Sequence, residues 1–115
     1  LRLGGRRVFV EEHVGQGIGT EMQQDPPVHN YVGTRMGKGP ELVEGLAMAV
    51  EPLIPLGSRM TKVLDDGWTV VTADGTPSAH FEHSFTITEE GPWVLTALDG
   101  GRERIAAIAG VAAPA

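Results

Sequence analysis

The segment Ser-Ala-His-Phe-Glu-His-Ser-Phe-Thr-Ile-Thr, residues 78–88, predicts a β-strand, because most of its residues are aromatic, β-branched or hydroxyl-bearing. Alternation along a strand puts His80 and Glu82 on one face, and Phe81 and His83 on the other. A carboxylate inside so apolar a strand needs a hydrogen-bonding partner, an opposite charge or a bound cation.

A second glutamate has the same unusual setting. Residues 46–54 read Leu-Ala-Met-Ala-Val-Glu-Pro-Leu-Ile, so that Glu51 follows five apolar residues and precedes Pro52. Two carboxylates, each isolated in its own apolar strand, indicate one shared polar site. The pattern is equally compatible with glutamates that cap a sheet edge or pair with an arginine, and both interpretations stay open at this point.

The composition indicates one domain over residues 1–115, which is long enough to bury a core. The 16 glycines and 8 prolines predict short strands and many turns rather than a helical bundle. The net charge of -6 argues against a nucleic-acid partner and against an anionic membrane surface. With no cysteine, neither a disulfide nor a thiolate metal site can form.

The same features lead us to expect a cytoplasmic protein. No apolar run approaches the roughly 20 residues that span a bilayer. The first residues, Leu-Arg-Leu-Gly-Gly-Arg-Arg, lack the apolar stretch of a signal peptide. Because the chain starts with leucine rather than methionine, we expect it to be either a fragment or a processed form of a longer protein.

Local patterns predict the other elements. Asp-Asp-Gly at 65–67 lies between two apolar segments and predicts a hairpin. We also predict a strand at 6–14, a chain break at the proline-containing segment 23–27, a short helix at 102–109 that turns Ile105 and Ile108 to one side, and a frayed tail at 111–115.

Glycines at alternate positions mark the segment Gly-Gln-Gly-Ile-Gly at 15–19. Such spacing demands either unusual backbone angles or the close approach of another backbone. It does not match a nucleotide-binding fingerprint, and no P-loop lysine follows. We therefore favour a turn beside an active site over a phosphate loop.

Six motifs occur in order along the chain: Gly-Gln-Gly-Ile-Gly at 15–19, Asp-Pro at 25–26, Glu-Pro at 51–52, Asp-Gly-Trp-Thr-Val at 66–70, Ser-Ala-His-Phe-Glu-His at 78–83 and Leu-Thr at 95–96. Together they resemble the C-terminal half of bacterial type I methionine aminopeptidase. The resemblance covers residues 8–96 and leaves 97–115 as a C-terminal tail. It implies an α+β fold, the C-terminal half of the pita-bread fold, which is mainly antiparallel sheet with little helix. It also implies a two-metal site and removal of the N-terminal methionine from nascent proteins.

The resemblance assigns roles to five positions. Glu51 and Glu82 match metal-ligand carboxylates, and Glu82 matches the carboxylate that bridges both ions. The methionine side-chain pocket of the family corresponds to Met22, Leu53 and Trp68.

Three further positions depart from the family, and a fourth matches a residue near its metal site. Gln16 replaces a histidine that is a metal ligand in the family, so an amide is left as a doubtful ligand. Gln23 replaces the histidine that contacts the substrate near the scissile amide. His80 stands where relatives have a glutamine, and His83 matches a residue that supports the site without binding metal.

Charge balance leads us to expect an inactive isolated chain. The family binds two divalent ions (Co, Mn, Fe or Zn), and it balances their four positive charges with four carboxylates. Glu51 and Glu82 balance half of that charge, because the two aspartate ligands of the family lie upstream of the matched half. An amide is also a poorer donor than imidazole for first-row metals.

Two other functions remain open. A non-catalytic peptide- or protein-binding module of the same fold would keep a methionine-shaped pocket without the full set of metal ligands. Proline-specific aminopeptidase or creatinase chemistry is less well matched by the motifs. The partners expected are a nascent peptide N-terminus and either a missing N-terminal half or a second copy, because half of such a fold leaves apolar surface exposed.

Overall fold

The computed structural model describes residues 9–21, 23–31, 33 and 37–109. Within these ranges the regular secondary structure consists of short strands and one helix. In chain order they are β1 (Gly15–Gly17), β2 (Gln24–Val28), β3 (Ala47–Val50), β4 (Leu53–Pro55), β5 (Thr61–Val63), β6 (Val70–Thr72), β7 (Ser78–His80), β8 (His83–Thr88), β9 (Gly91–Val94) and α1 (Arg102–Ala109).

The main sheet has five strands in the order β2-β1-β3-β8-β9, and all neighbours run antiparallel. Two-stranded ladders join β4 to β7 and β5 to β6. The expectation of a mainly antiparallel sheet with little helix is therefore confirmed. In the described part of the chain, no helix is long and apolar enough to cross a membrane.

The β3–β8 and β4–β7 ladders are two parts of one long antiparallel pairing. The first ladder ends where Val50 faces His83, and the second begins where Leu53 faces His80. Two residues intervene on each strand, so the register continues unchanged across the gap. A hydrogen bond from the Phe81 amide to the Pro52 carbonyl, 3.3 Å long, lies within the gap.

Proline explains why the ladder is interrupted at this place. Pro52 has no backbone N–H and cannot donate a ladder hydrogen bond. The predicted strand 78–88 is accordingly divided into β7 and β8, with Phe81 and Glu82 between them. The interruption places Glu51, which is half-buried, and Glu82, which is exposed, at the junction of the two ladders.

Close packing of backbones accounts for the alternating glycines. A Cβ atom on Gly15 would lie 2.1 Å from the Ala49 carbonyl oxygen, and one on Gly17 would lie 2.2 Å from the Asp25 carbonyl oxygen. Neither glycine has a positive φ. Glycine is therefore needed at these positions because another backbone approaches closely, and not because the backbone angles are unusual. The segment Gly15–Gly17 is a strand rather than the expected turn.

Two other local predictions are wrong. Residues 9–14, the described part of the strand expected at 6–14, form no strand. The segment 23–27, expected to break the chain, instead contributes most of β2. Proline is compatible with β2 because this strand lies at the edge of the sheet, where one side needs no ladder partner.

The predicted hairpin and helix are both confirmed. β5 and β6 pair around the Asp-Asp-Gly turn, in which Gly67 has a φ of 68°. At the start of α1 the Asp99 carboxylate accepts hydrogen bonds from the Glu103 and Gly101 amides, which lower the pKa of Asp99. Ile105 is half-buried, but Ile108 is 88% exposed, so the helix does not turn both isoleucines inward. The predicted tail 111–115 lies outside the described residues.

The hydrophobic core formed by the described residues is small. In the described part of the chain, the buried apolar residues are Val10, Met48 and Ala49. Many large apolar side chains of the smaller ladders and their connections are exposed instead. They include Leu56, Met60, Val63, Leu64, Trp68, Val70 and Phe81.

Candidate metal and substrate site

The two isolated carboxylates meet at the gap between the ladders, together with one imidazole. One ligand atom each from Glu51, His80 and Glu82 lies within 4.8 Å of the others. His80 Nε2 is 3.2 Å from Glu51 Oε2. The Glu51 side chain is 20% exposed and the His80 side chain 47% exposed, so the group is open to solvent from one side.

The continuous register explains this convergence. Between the pairs Val50–His83 and Leu53–His80, Glu51 falls opposite Glu82. Residues directly opposite in an antiparallel pair have Cβ atoms roughly 4.5–5.5 Å apart. His80 lies two residues from Glu82 and therefore on the same face.

Two like charges placed opposite each other destabilise a sheet unless a cation or a proton lies between them. Among the described residues, Arg59 forms an ion pair with Glu11, and the His80 ring lies within 3.2 Å of the Glu51 carboxylate. Neither Glu51 nor Glu82 is paired with an arginine in that part of the chain. The interpretation as a shared polar site therefore describes the geometry better than separate arginine pairs.

Gln16 faces the same site from the neighbouring strand. Gly17 pairs with Met48, so Gln16 stands opposite Ala49, two residues before Glu51 and on the same face. Gln16 Oε1 is buried and has no hydrogen-bond partner among the described residues. A buried acceptor without a partner costs about 1–3 kcal/mol. The site therefore has an unused oxygen that a donor or a cation would satisfy.

A wide cleft of about 1280 Å³ opens beside the cluster. Trp68 is 83% exposed at one wall, and Leu53 is half-buried at another. Met22, the third residue expected in the methionine pocket, lies outside the described residues. The candidate residues on the cleft surface are Gln16, Gln23, Glu51, Leu53, Trp68 and His80.

His83 lies apart from this cleft. Its Nδ1 is 2.7 Å from Thr96 Oγ1, and its ring contacts the Phe81 ring edge-to-face at 5.3 Å between centroids. These contacts agree with the alternation that puts His83 on the face opposite Glu82. His83 therefore borders the gap through the backbone, and its side chain contacts Phe81 and Thr96.

The turn of the β5–β6 hairpin holds Trp68 at the cleft. The Asp66 carboxylate accepts hydrogen bonds from the Trp68 and Thr69 amides and from the Thr69 hydroxyl. The hydroxyl and these amides lower the pKa of Asp66 below 3.8, its ordinary value. The charged carboxylate thus fixes the backbone from which the indole projects.

Replacing Asp66 by asparagine is expected to loosen this turn and shift the fluorescence of Trp68, because the neutral amide accepts hydrogen bonds more weakly. The parent protein should show the same change in acid. The pKa of Asp66 is lowered in the folded state. The charged carboxylate therefore stabilises the turn fully above the ordinary pKa of an aspartate, and this stabilisation is lost as the pH falls through the lowered pKa. Fluorescence between pH 6 and pH 2, recorded in a Trp93→Phe background, measures it. An Asp65→Asn control should behave like the parent, and an unchanged spectrum in Asp66→Asn would contradict the role of Asp66.

The comparison with known proteins identifies the wider relationship. A methionine aminopeptidase of Clostridium perfringens is 49% identical over 87 residues, and one of Mycobacterium tuberculosis is 45% identical over 96 residues. The chain is homologous to part of a methionine aminopeptidase. Its match lies in the C-terminal half of such enzymes, and it spans about a third of their length, 34% and 35% respectively. These matches include 76% and 84% of this chain. No family model matches the chain.

Solved structures of methionine aminopeptidases share the fold. The enzyme of Thermotoga maritima superposes with a TM-score of 0.71 at 41% identity, covering 78% of this chain and 35% of that enzyme. The enzyme of Rickettsia prowazekii superposes with a TM-score of 0.70 at 38% identity, covering 79% of this chain and 36% of that enzyme. The expected part of the pita-bread fold is therefore confirmed.

Methionine aminopeptidase homology implies divalent metal ions, and the donor atoms allow a test of fit. Two carboxylates and an imidazole, all within 4.8 Å, suit one divalent first-row ion. The two negative charges balance one such ion but not two. The described residues thus fit a single ion, and a pair of ions would need donors from elsewhere.

Sequence reasoning missed two contributors to this site. It treated His80 as a departure from the family, although the ring lies beside Glu51. It did not consider Asn30, whose Nδ2 donates to the carbonyls of His13 and Glu51 at 3.4 Å each and thereby positions the backbone of Glu51. The alternation around Glu82 already placed His80 on the correct face, but no local signal indicated Asn30.

Proposed function

We propose that this chain provides the metal-binding carboxylates and the methionine pocket of a methionine aminopeptidase-type hydrolase, and that it hydrolyses no peptide by itself. The observation that carries the proposal is the position of Glu51 opposite Glu82, at the edge of the cleft that Leu53 and Trp68 line. Homology over a third of the length of the enzymes supports the assignment of the reaction class.

The proposed roles follow from the side chains. Leu53 and Trp68 would hold the flexible thioether side chain of a terminal methionine by apolar and sulfur–aromatic contacts. Glu51 and Glu82 would hold divalent metal, which supplies a Lewis acid next to the scissile carbonyl when it is bound. Gln16 and Gln23 would take no part in proton transfer, because an amide does not titrate and cannot accept a proton from a nucleophile.

The exposed apolar surface supports the need for a partner. On the β5–β6 hairpin and its turn, Trp68 is 83% exposed, Val63 60% and Leu64 42%. Isolated exposed side chains are ordinary, but a run of them along one hairpin is typical of an interface. We propose that a polypeptide corresponding to the remaining part of the enzyme covers this surface, with self-association as the alternative in its absence.

The isolated 115-residue chain is expected to bind a peptide with N-terminal methionine and to release no methionine from it. Binding is measured through Trp68 fluorescence in a Trp93→Phe background, and release by mass spectrometry of the peptide after incubation with Co²⁺ or Mn²⁺. A peptide that begins with glycine, and the Leu53→Ala variant, which removes a pocket side chain and keeps the Trp68 reporter, serve as controls. Methionine release that a chelator blocks would contradict the expected inactivity, and equal binding of both peptides would contradict the pocket.

A second candidate function is a non-catalytic peptide-binding module. The presence of amides at 16 and 23, beside a retained apolar cleft, favours it. The discriminating measurement is the same binding experiment in the presence of a chelator. A module that only binds would keep its full affinity for the methionine peptide without metal and in the Glu82→Gln variant, whereas a metal-dependent site would lose it.

A further inference from the structure

We propose that His80 is a metal ligand and that Glu51, His80 and Glu82 form a site for a single divalent cation. This inference deepens the proposed function, because it concerns the same cleft. It depends, however, only on donor atoms of this chain and not on peptide hydrolysis.

The spacing of the donors supports the proposal. Metal–ligand bonds of about 2.0–2.2 Å in a tetrahedral site hold ligand atoms roughly 3.3–3.6 Å apart. His80 Nε2 and Glu51 Oε2 are already 3.2 Å apart, and the complete set lies within 4.8 Å. Small side-chain rotations of the exposed Glu82 would close the remaining distance.

The strand register supports it independently. Glu51 and Glu82 face each other across an antiparallel pair, an arrangement that disfavours the metal-free protein because the charges repel. A divalent ion between them removes the repulsion and leaves a neutral site. Imidazole nitrogen and carboxylate oxygen are both zinc ligands, and three protein ligands is the number found in zinc sites with an open position.

Gln16 adds a second observation that points to a ligand. Its buried Oε1 lacks a partner among the described residues, although it shares the sheet face of Glu51 and lines the same cleft. A hard cation or a donor held by it would satisfy this oxygen. The neutral amide contributes no charge, which agrees with a site for one ion rather than two.

The test is titration of the full 115-residue chain with Zn²⁺ and Co²⁺ by calorimetry, together with the visible absorption of bound Co²⁺. We expect one ion per chain. His80→Gln is expected to weaken binding by at least about 10- to 100-fold, since removal of even an indirect partner of a metal ligand has that effect. The His29→Gln variant, which removes an imidazole outside the cleft, should bind as the parent does. Two ions per chain, no binding, or unchanged affinity in His80→Gln would overturn the proposal.

A measurement on the unmodified sequence avoids any dependence on the folding of variants. Diethyl pyrocarbonate acylates neutral imidazoles, and mass spectrometry locates the modified histidine. Zn²⁺ is expected to protect His80 and to leave His29 reactive. Equal reactivity of His80 with and without Zn²⁺ would show that the ring does not bind the ion. Failure here would leave the methionine aminopeptidase assignment intact, because that assignment is tested by peptide cleavage in a complete enzyme.

Discussion

Replacing Gln16 and Gln23 by histidine is expected to raise methionine release by about 100-fold or more in a chimeric enzyme that carries this chain's segment. The chimera replaces the homologous part of the Clostridium perfringens enzyme, so that the remaining two-thirds of the protein is present. An imidazole at 16 restores a metal donor stronger than an amide, and one at 23 restores a group that can exchange protons. Release from a methionine peptide at saturating Co²⁺ measures the effect.

The two substitutions should act differently when they are made singly. Gln16→His should lower the metal concentration needed for half-maximal activity, because it adds a ligand. Gln23→His should raise kcat at saturating metal. Lys38→His, which adds an imidazole in an exposed segment, is the matched control and should change neither quantity. A chimera with both glutamines that already matches the parent enzyme would contradict the interpretation, as would a folded double-histidine chimera without added activity.

Gly15→Ala is expected to unfold the isolated chain or to destabilise it by about 3 kcal/mol. The added methyl would meet the Ala49 carbonyl oxygen at 2.1 Å, and that oxygen belongs to the central strand β3. Backbone atoms cannot rotate away as a side chain can, so β1 and β3 would have to separate. Within the described residues so few apolar side chains are buried that little stability is left to absorb this cost.

Circular dichroism and urea denaturation of the 115-residue chain test this expectation. Gly39→Ala is the matched control, because a Cβ atom there has no neighbour within 4 Å and the residue has no positive φ. Gly17→Ala should resemble Gly15→Ala, since its methyl would meet the Asp25 carbonyl oxygen at 2.2 Å. If Gly15→Ala unfolds at the same urea concentration as the parent, the close approach of β1 and β3 is wrong.

Local sequence patterns predict some residues of the candidate site but not others. Glu51 and Glu82 are recognisable as unusual because each is a charge in an apolar strand, and that anomaly is a property of neighbouring residues. The position of Trp68 can be predicted in a similar way, because Asp-Asp-Gly predicts the turn that precedes it. The contribution of Asn30 cannot be predicted from local sequence, since it depends on where a connecting segment passes the backbone of Glu51.

Errors in the predicted strands have a physical cause as well. The segment that became β2 contains two prolines, which local propensity treats as breakers. Edge position removes the penalty, because one side of an edge strand needs no hydrogen-bond donors. Edge position is a property of the assembled sheet and is absent from the local sequence.

The amino-acid sequence by itself determined which side chains share a strand face, where the hairpin turns and where the helix begins. Those features depend on periodicity, glycine and proline, all of which act over a few residues. Only the tertiary structure decided that Glu51 stands opposite Glu82 with His80 beside them, and that Gly15 meets Ala49. Both contacts join residues far apart in the chain through strand register, and a shift of one residue would have turned the same side chains to the opposite face.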